Sequence, residues 1–401
     1  MSAARLRVAD VIRCCWERYN RTHRLAPHVA RAVGHILRCR TAALGGHIHA
    51  CDHCGAEVPL YNSCRTRHCP TCQNHAKAQW LDARLSERLP VQYFHVVFTL
   101  PHALNPLIDA NRTLLLGEFF GTLNWVLQRF ARDPRWRLEG QLGFLAILHT
   151  WTQRLKLHFH VHCIVPGGVW RGAPKHGSEG GQADKKRWKP CRGRWLFRKQ
   201  SLADAFRNRY LKRLRALRKR GKLRYTGRAA RFEDETFWEA LLEKLERTQW
   251  IVYPKPVPGD AAQALDYVAR YTHKVAIGDY RIKAIEGGRV TYAWRDRSAG
   301  NLEKTETLPV EAFTRRFLSH VLPDGFHKIR YFGWMAANQR ARRLAEIRAA
   351  LGLQAPEPPE KKPFVERIRR ETGVDISLCP HCRQGHIQPT DRRIPPRSQS
   401  P

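Results

Sequence analysis

Three histidines stand at alternate positions in Leu157-His158-Phe159-His160-Val161-His162-Cys163-Ile164-Val165, and Pro166-Gly167-Gly168 ends the run. A repeat of two is the side-chain period of a β-strand, so the histidines share one face and the apolar residues the other. Residues two apart on a strand lie about 6.5–7 Å apart, so two adjacent imidazoles can converge on one metal ion. His158 and His162 lie about 13 Å apart by the same rise. The strand is therefore expected to supply two ligands, with the third from elsewhere. A strand of solvated histidines is the plain alternative.

A second stretch, Ala261 to Ala276, reads as a helix. At 100° per residue Leu265, Val268, Ala269, Thr272 and Ala276 form one face, enough to pack against a sheet. Tyr267, Tyr271 and Lys274 fall on the opposite side, with Asp266, Arg270 and His273 on a flank. Two tyrosines four apart are ordinarily core, but here the core stripe is filled by other residues. The chemistry that fits is attack of a tyrosine hydroxyl on a DNA phosphodiester. A divalent ion held by His160 and His162 would polarise and orient the phosphate. The product is a 5′-phosphotyrosine with a free 3′-hydroxyl, which keeps the bond energy for rejoining. A second tyrosine one turn away allows a second strand to be cut while the first is held.

Seven of the 12 cysteines lie in two short clusters with Cys-x-x-Cys spacing. Cys51 and Cys54, then Cys69 and Cys72, are two knuckles suited to one tetrahedral four-cysteine zinc site, with Cys64 and His68 as surplus candidates. Zinc there folds the module and leaves no open position for chemistry. Arg65 and Arg67, in the basic loop between the knuckles, are candidate phosphate contacts. Cys379 and Cys382 are half a knuckle, a possible second zinc site alone or with donors from elsewhere in the chain.

The 401 residues carry 71 Lys plus Arg against 35 Asp plus Glu, a net +36. Such an excess opposes compaction unless a polyanion shares the surface, and nucleic acid is the usual one. There is no run of 18 apolar residues, no signal-peptide core and no lipidation motif, so a membrane partner is not expected. The protein is expected to be soluble, cytoplasmic and nucleoid-associated.

Several elements must position these groups. Residues 5–40 read as two helices broken near Ala26-Pro27. Tyr93–Leu100 and Phe144–Trp151 read as buried strands flanking a long helix from Leu107 to Phe130. Residues 167–230 read as a basic insertion, in which Trp170, Trp188 and Trp195 among cations suit stacked single-stranded bases, and Ser201–Leu217 as a basic helix. A strand at Thr248–Tyr253 precedes the tyrosine helix. A hairpin turns at Gly287-Gly288, and a basic helix runs from Asn338 through Arg348. Residues 354–363 form a linker, and the tail from Pro389 is expected to be disordered. The domains are thus 1–90 (helices and zinc module), 91–350 (catalytic) and 351–401 (linker and Cys-x-x-Cys tail).

Three blocks, Asn62–Cys72, His158–Gly168 and Leu265–Ile277, together resemble the two-tyrosine rolling-circle transposases of bacterial insertion sequences, in the HUH endonuclease superfamily. The resemblance covers roughly residues 40–345. It implies an α+β fold with a ferredoxin-like antiparallel sheet, His160 and His162 as the metal pair around hydrophobic Val161, and Tyr267 and Tyr271 as nucleophiles. Phe159 stands where many relatives have proline, on the non-ligand face. For the third ligand Gln153, His149 and His158 are candidates, with His273 behind them. Mg²⁺ or Mn²⁺ suits a site that also binds phosphate oxygens, and zinc the cysteines. The implied partners are single-stranded DNA and the element's ends. Two other readings are a plasmid or phage rolling-circle replication initiator, and a non-catalytic zinc-dependent nucleic-acid-binding protein. Oligomeric state is not legible.

Overall fold

The computed structural model describes residues 6–73, 80, 82–84, 86–172, 187–191, 196–258, 275–355, 363, 365–366, 368–369 and 373–397. Three helices open the chain: α1 (Val8–Arg13), α2 (Trp16–Thr22) and α3 (Pro27–Arg38). They divide the first 40 residues more finely than the expected pair, because Cys14 and Cys15 interrupt the first helix. Strands β1 (Gly46–Cys51) and β2 (Glu57–Tyr61) follow.

The centre of the fold is an antiparallel sheet. It is built from β3 (Tyr93–Thr99), helix α4 (Arg112–Arg132), β4 (Gly143–Trp151) and β5 (Leu157–Pro166), then, past the small ribbon β6 (Gly168–Trp170) and β7 (Trp188–Pro190), helices α5 (Lys199–Lys219) and α6 (Glu235–Arg247), and β8 (Ile251–Pro256). The strand order β4-β5-β3-β8 in a β-α-β-β-α-β chain is that of a ferredoxin-like sheet, and the α+β expectation holds. A fifth strand, β12 (Ile329–Gly333), adds to the β4 edge.

Period-two alternation decides the two faces. Phe94, Val96 and Phe98 of β3 and Phe159, Val161, Cys163 and Val165 of β5 are fully buried against α4, α5 and α6. On α4, Leu115, Leu116, Phe119, Phe120, Leu123, Val126 and Leu127 keep the spacing of a helix packed on a sheet. Asp234 caps α6 by accepting from the amides of Thr236 (2.8 Å) and Phe237 (3.3 Å). Helix α5 is part of this core, with Phe206, Tyr210 and Leu214 buried, so the expected insertion does not extend through it. Trp170 and Trp188 are likewise packing groups and not a platform for bases. Trp188 meets Trp334 edge-on, and the Arg343 guanidinium lies 3.6 Å from the Trp170 ring centroid. Trp195 lies outside the described residues.

A second antiparallel sheet, β9 (Ile282–Glu286), β10 (Arg289–Asp296) and β11 (Leu302–Pro309), packs with α7 (Val310–Leu318). Val8, Val11 and Ile12 of α1 and Val33 and Ile36 of α3 bury themselves against Phe313 and Phe317 of α7. The basic helix α8 (Arg340–Ala350) follows β12. The chain then returns to its start. Strand β13 (Ile387–Ile394) pairs antiparallel with β1, from Gly46↔Ile394 to Cys51↔Ile387. Residues 389–394 of the tail expected to be disordered are therefore part of a strand, because a free edge of β1 pairs its backbone groups. Among the described residues no helix is long and apolar enough to cross a membrane.

His320, buried after α7, donates from Nε2 to the Leu155 carbonyl (3.1 Å), while Nδ1 bonds the Thr150 hydroxyl (3.1 Å). Burial pushes its pKa down to about 4. The unfolded chain takes up this proton near pH 6.5 and the folded one does not, so the contribution to stability is full above pH 6.5 and falls as pH drops toward 4. In denaturant titrations the advantage of wild type over His320→Gln should shrink by about 2 kcal/mol between pH 7 and pH 5.

Candidate metal centre

The sheet face opposite the core carries His149 of β4 and His158, His160 and His162 of β5. Register sets which of them meet. His149 pairs directly across from His160, and a shift between His149 and Trp151 bends β4 at that point. The ring centroids lie 5.3 Å apart for His149–His160, 4.6 Å for His149–His162 and 4.9 Å for His160–His162. One ligand nitrogen from each falls within 4.8 Å of the others, so the three can hold one ion.

The outer ring nitrogens are fixed. His160 Nδ1 donates to the His158 carbonyl (3.0 Å), which leaves Nε2 as the lone-pair nitrogen. His162 Nδ1 lies 2.8 Å from Nε2 of His95, a buried residue of β3 stacked on it at 5.0 Å. One ring of that pair must donate and the other accept. Burial, with the His158 and Arg297 charges behind it, pushes the His160 imidazole down to about 3. Burial, then His149 and His160, drives His162 well below the usual imidazole range. These imidazoles are neutral at pH 7, the form in which imidazole is a ligand.

The other expected ligands are placed differently. His158 turns outward, its Nδ1 2.8 Å from His102 Nε2, and it is not in the three-histidine group. Gln153 sits in the β4–β5 turn, where its main-chain carbonyl accepts from Arg281 (2.6 Å). Tyr267, Arg270, Tyr271, His273 and Lys274 lie outside the described residues. Sequence reading missed His95, whose strand reads as uniformly apolar, and Arg297, which the turn after β10 brings to bear on all three β5 histidines.

The cysteines meet in an order the linear spacing does not suggest. Cys51 and Cys54 are not joined by Cys69 and Cys72. One group of four is Cys39, Cys64, Cys69 and Cys72, and the other is Cys51, Cys54, Cys379 and Cys382. The first knuckle points along β1 toward β13, while the second lies against the end of α3, which brings Cys39 with its Sγ 3.5 Å from the Cys64 amide. Cys64 is thus a full member, and His68 stands outside both groups, where burial pushes its pKa down to about 3. Arg65 is exposed. Arg67 is not available to phosphate: its guanidinium donates to the carbonyls of Leu322 (3.3 Å), Pro323 (2.6 Å) and Phe326.

A ferredoxin-like sheet thus carries a histidine cluster on its open face and is joined to a cysteine-rich module. Comparison with known proteins gives the class. Residues 143–343, from β4 into α8, match the family model described as "Putative transposase", and residues 11–100 match the one described as "Transposase zinc-binding domain". A Sinorhizobium fredii protein named as a transposase in the same terms is 40% identical over 384 residues, covering 95% of this chain and 94% of that one. The transposase for insertion sequence element IS801 of Pseudomonas savastanoi pv. phaseolicola is 26% identical over 379 residues, 92% of this chain and 85% of that one. The chain belongs to this family of insertion-sequence transposases and carries its zinc-binding domain. No solved structure matches it.

Proposed function

We propose that this transposase nicks and rejoins single-stranded DNA at the ends of an insertion element, by tyrosine attack assisted by a divalent cation, in rolling-circle transposition. The observation that carries the reading is the convergence of His149, His160 and His162 on the open face of the central sheet. That face continues across β3 to β8, where Ile251, Tyr253 and Lys255 share it in register with Thr99, Val97 and His95. The segment holding Tyr267 and Tyr271 follows β8 directly in the chain.

His149, His160 and His162 would hold the ion, and His149 is the third ligand that the strand pattern left open. Bound there, a divalent cation supplies Lewis-acid polarisation of a scissile phosphate. Three neutral imidazoles are borderline donors, which suit Mn²⁺ better than Mg²⁺. With Nε2 as the ligand atom, His162 would donate from Nδ1 to His95, which would then fix the orientation of the ring. Arg297 lends positive potential to the phosphate. One of Tyr267 and Tyr271 attacks phosphorus through its phenolic oxygen. The bond from phosphorus to the 3′-oxygen breaks, a proton goes to that oxygen, and the 5′-phosphate stays on tyrosine. Reversal by an incoming 3′-hydroxyl rejoins the strand, and the second tyrosine serves a second strand.

The zinc-binding domain is read as Cys39, Cys64, Cys69 and Cys72, the four-cysteine group that lies wholly within residues 11–100. Softness and a tetrahedral set of four thiolates select zinc. Cys39→Ser should remove one zinc per chain and lower Tm by about 5 °C or more, measured by metal analysis and calorimetry, while Cys14→Ser should do neither.

Labelled single-stranded DNA spanning an element end, incubated with protein and Mn²⁺, should give a covalent protein–DNA band that survives denaturation. EDTA should abolish it, as should the Tyr267→Phe/Tyr271→Phe double variant. His149→Ala, His160→Ala and His162→Ala should lose it while His158→Ala keeps it. Persistence of the band in the double tyrosine variant would sink the mechanism. His95→Phe keeps the ring but removes the acceptor, and should weaken Mn²⁺ binding in a direct titration by about 10- to 100-fold.

A further inference from the structure

We propose that Cys51, Cys54, Cys379 and Cys382 form a second four-cysteine zinc site, which clasps the C-terminal strand β13 to the N-terminal module. Two of its four cysteines lie within residues 11–100 and two far beyond them, so the site is not contained in the matched domain. It does not depend on the tyrosine chemistry.

Geometry carries the assignment. The four Sγ atoms lie within 4.8 Å of one another, with Cys51–Cys382 at 3.7 Å and Cys54–Cys379 at 3.8 Å. Those separations are far beyond the roughly 2.05 Å of a disulfide and are those of ligands around one ion. Each Cys-x-x-Cys turn directs main-chain amides at its own sulfur. The His53 and Cys54 amides lie 3.4 Å from Cys51 Sγ, and the Gly385 amide lies 3.5 Å from Cys382 Sγ.

The two turns are also locked face to face. Asp52 accepts from the His386 amide through Oδ1 (2.7 Å) and donates its own amide to the His386 carbonyl (3.1 Å). Gly385 is required by this approach, since a Cβ there would come within 2.7 Å of Cys51 Sγ. Apolar side chains do little to hold the sheet together, and across it Thr390 donates to the Ile48 carbonyl (2.7 Å) and Arg392 pairs with Glu57. β2 and β13 are exposed or half-buried throughout, and among the described residues no apolar cluster of buried residues covers the β13-β1-β2 sheet. A module this small and this wet needs a covalent or metal staple, and four thiolates drawn from positions more than 320 residues apart supply the ligands for one.

The test uses the full chain. Zinc-loaded wild type should carry one zinc ion more than Cys379→Ser/Cys382→Ser by native mass spectrometry, a difference that zinc on the three histidines does not change. Amide hydrogen exchange over residues 387–394 should then rise at least about 10-fold, while α1 and α3 stay protected. Cys51→Ser/Cys54→Ser should lose the same single zinc ion. Should either variant precipitate, cobalt-substituted wild type decides alone: the thiolate-to-cobalt absorption per chain should correspond to eight thiolates and not four. The same zinc count in wild type and the Cys379/Cys382 variant, or unchanged exchange in β13, would overturn the proposal.

Discussion

The structure depends on the alternation of β5 in the middle of the sheet. Its odd-numbered residues from Phe159 to Val165 close the core against α4, α5 and α6, and its even-numbered residues carry the histidines on the other side. A slip of one residue would put imidazoles into the core and phenyl and methyl groups into the site, so core packing and site geometry fix each other. The same pairing sets His149 opposite His160 and His95 beside His162. The three histidines thus sit on two adjacent strands, a more precise support than loops would give.

Charge is the second constraint, and much of it is used inside the protein. Arg281 is buried and donates to the carbonyls of Ala293 (2.6 Å) and Gln153 (2.6 Å), tying the second sheet to the β4–β5 turn. Burial raises the Glu306 carboxyl, but hydrogen bonds from Arg154, Tyr292 and Arg316 outweigh it and hold that group at about 2. On α8, Arg343 stacks on Trp170 and bonds Glu346, and Arg348 bonds the carbonyls of Arg88 and Gln354. Arginine counts therefore overstate the surface free for DNA, since a fork of donors serves buried carbonyls as readily as phosphate.

Asp279 shows how the N-terminal module is held to the rest. Its two carboxylate oxygens accept from the Val8 amide (2.9 Å) and the Thr71 hydroxyl (2.7 Å). Arg67 meets the carbonyls after α7, and α1 and α3 pack on α7 itself. With β13 returning to β1, the N-terminal region is fastened by segments from the far end of the chain.

Local pattern determined a good deal by itself. The strand with His160 and His162 on one face, the buried strand at 93–99, the long helix after it, the hairpin at Gly287-Gly288 and the Cys-x-x-Cys turns all follow from period, turn residues and short-range geometry. The order of the three blocks carried the family. Tertiary structure decided which local pieces meet. His149 and not Gln153 or His158 joins the pair, because cross-strand register is set by the whole sheet. Cys39 joins Cys64, Cys69 and Cys72, while Cys51 and Cys54 face Cys379 and Cys382, because three knuckles of the same spacing carry no mark of their partner. His95 was hidden within an apolar run, since one polar residue does not change a strand's pattern. The tail from Pro389 looks too polar to fold, yet it orders as an edge strand held by main-chain hydrogen bonds, which composition does not report.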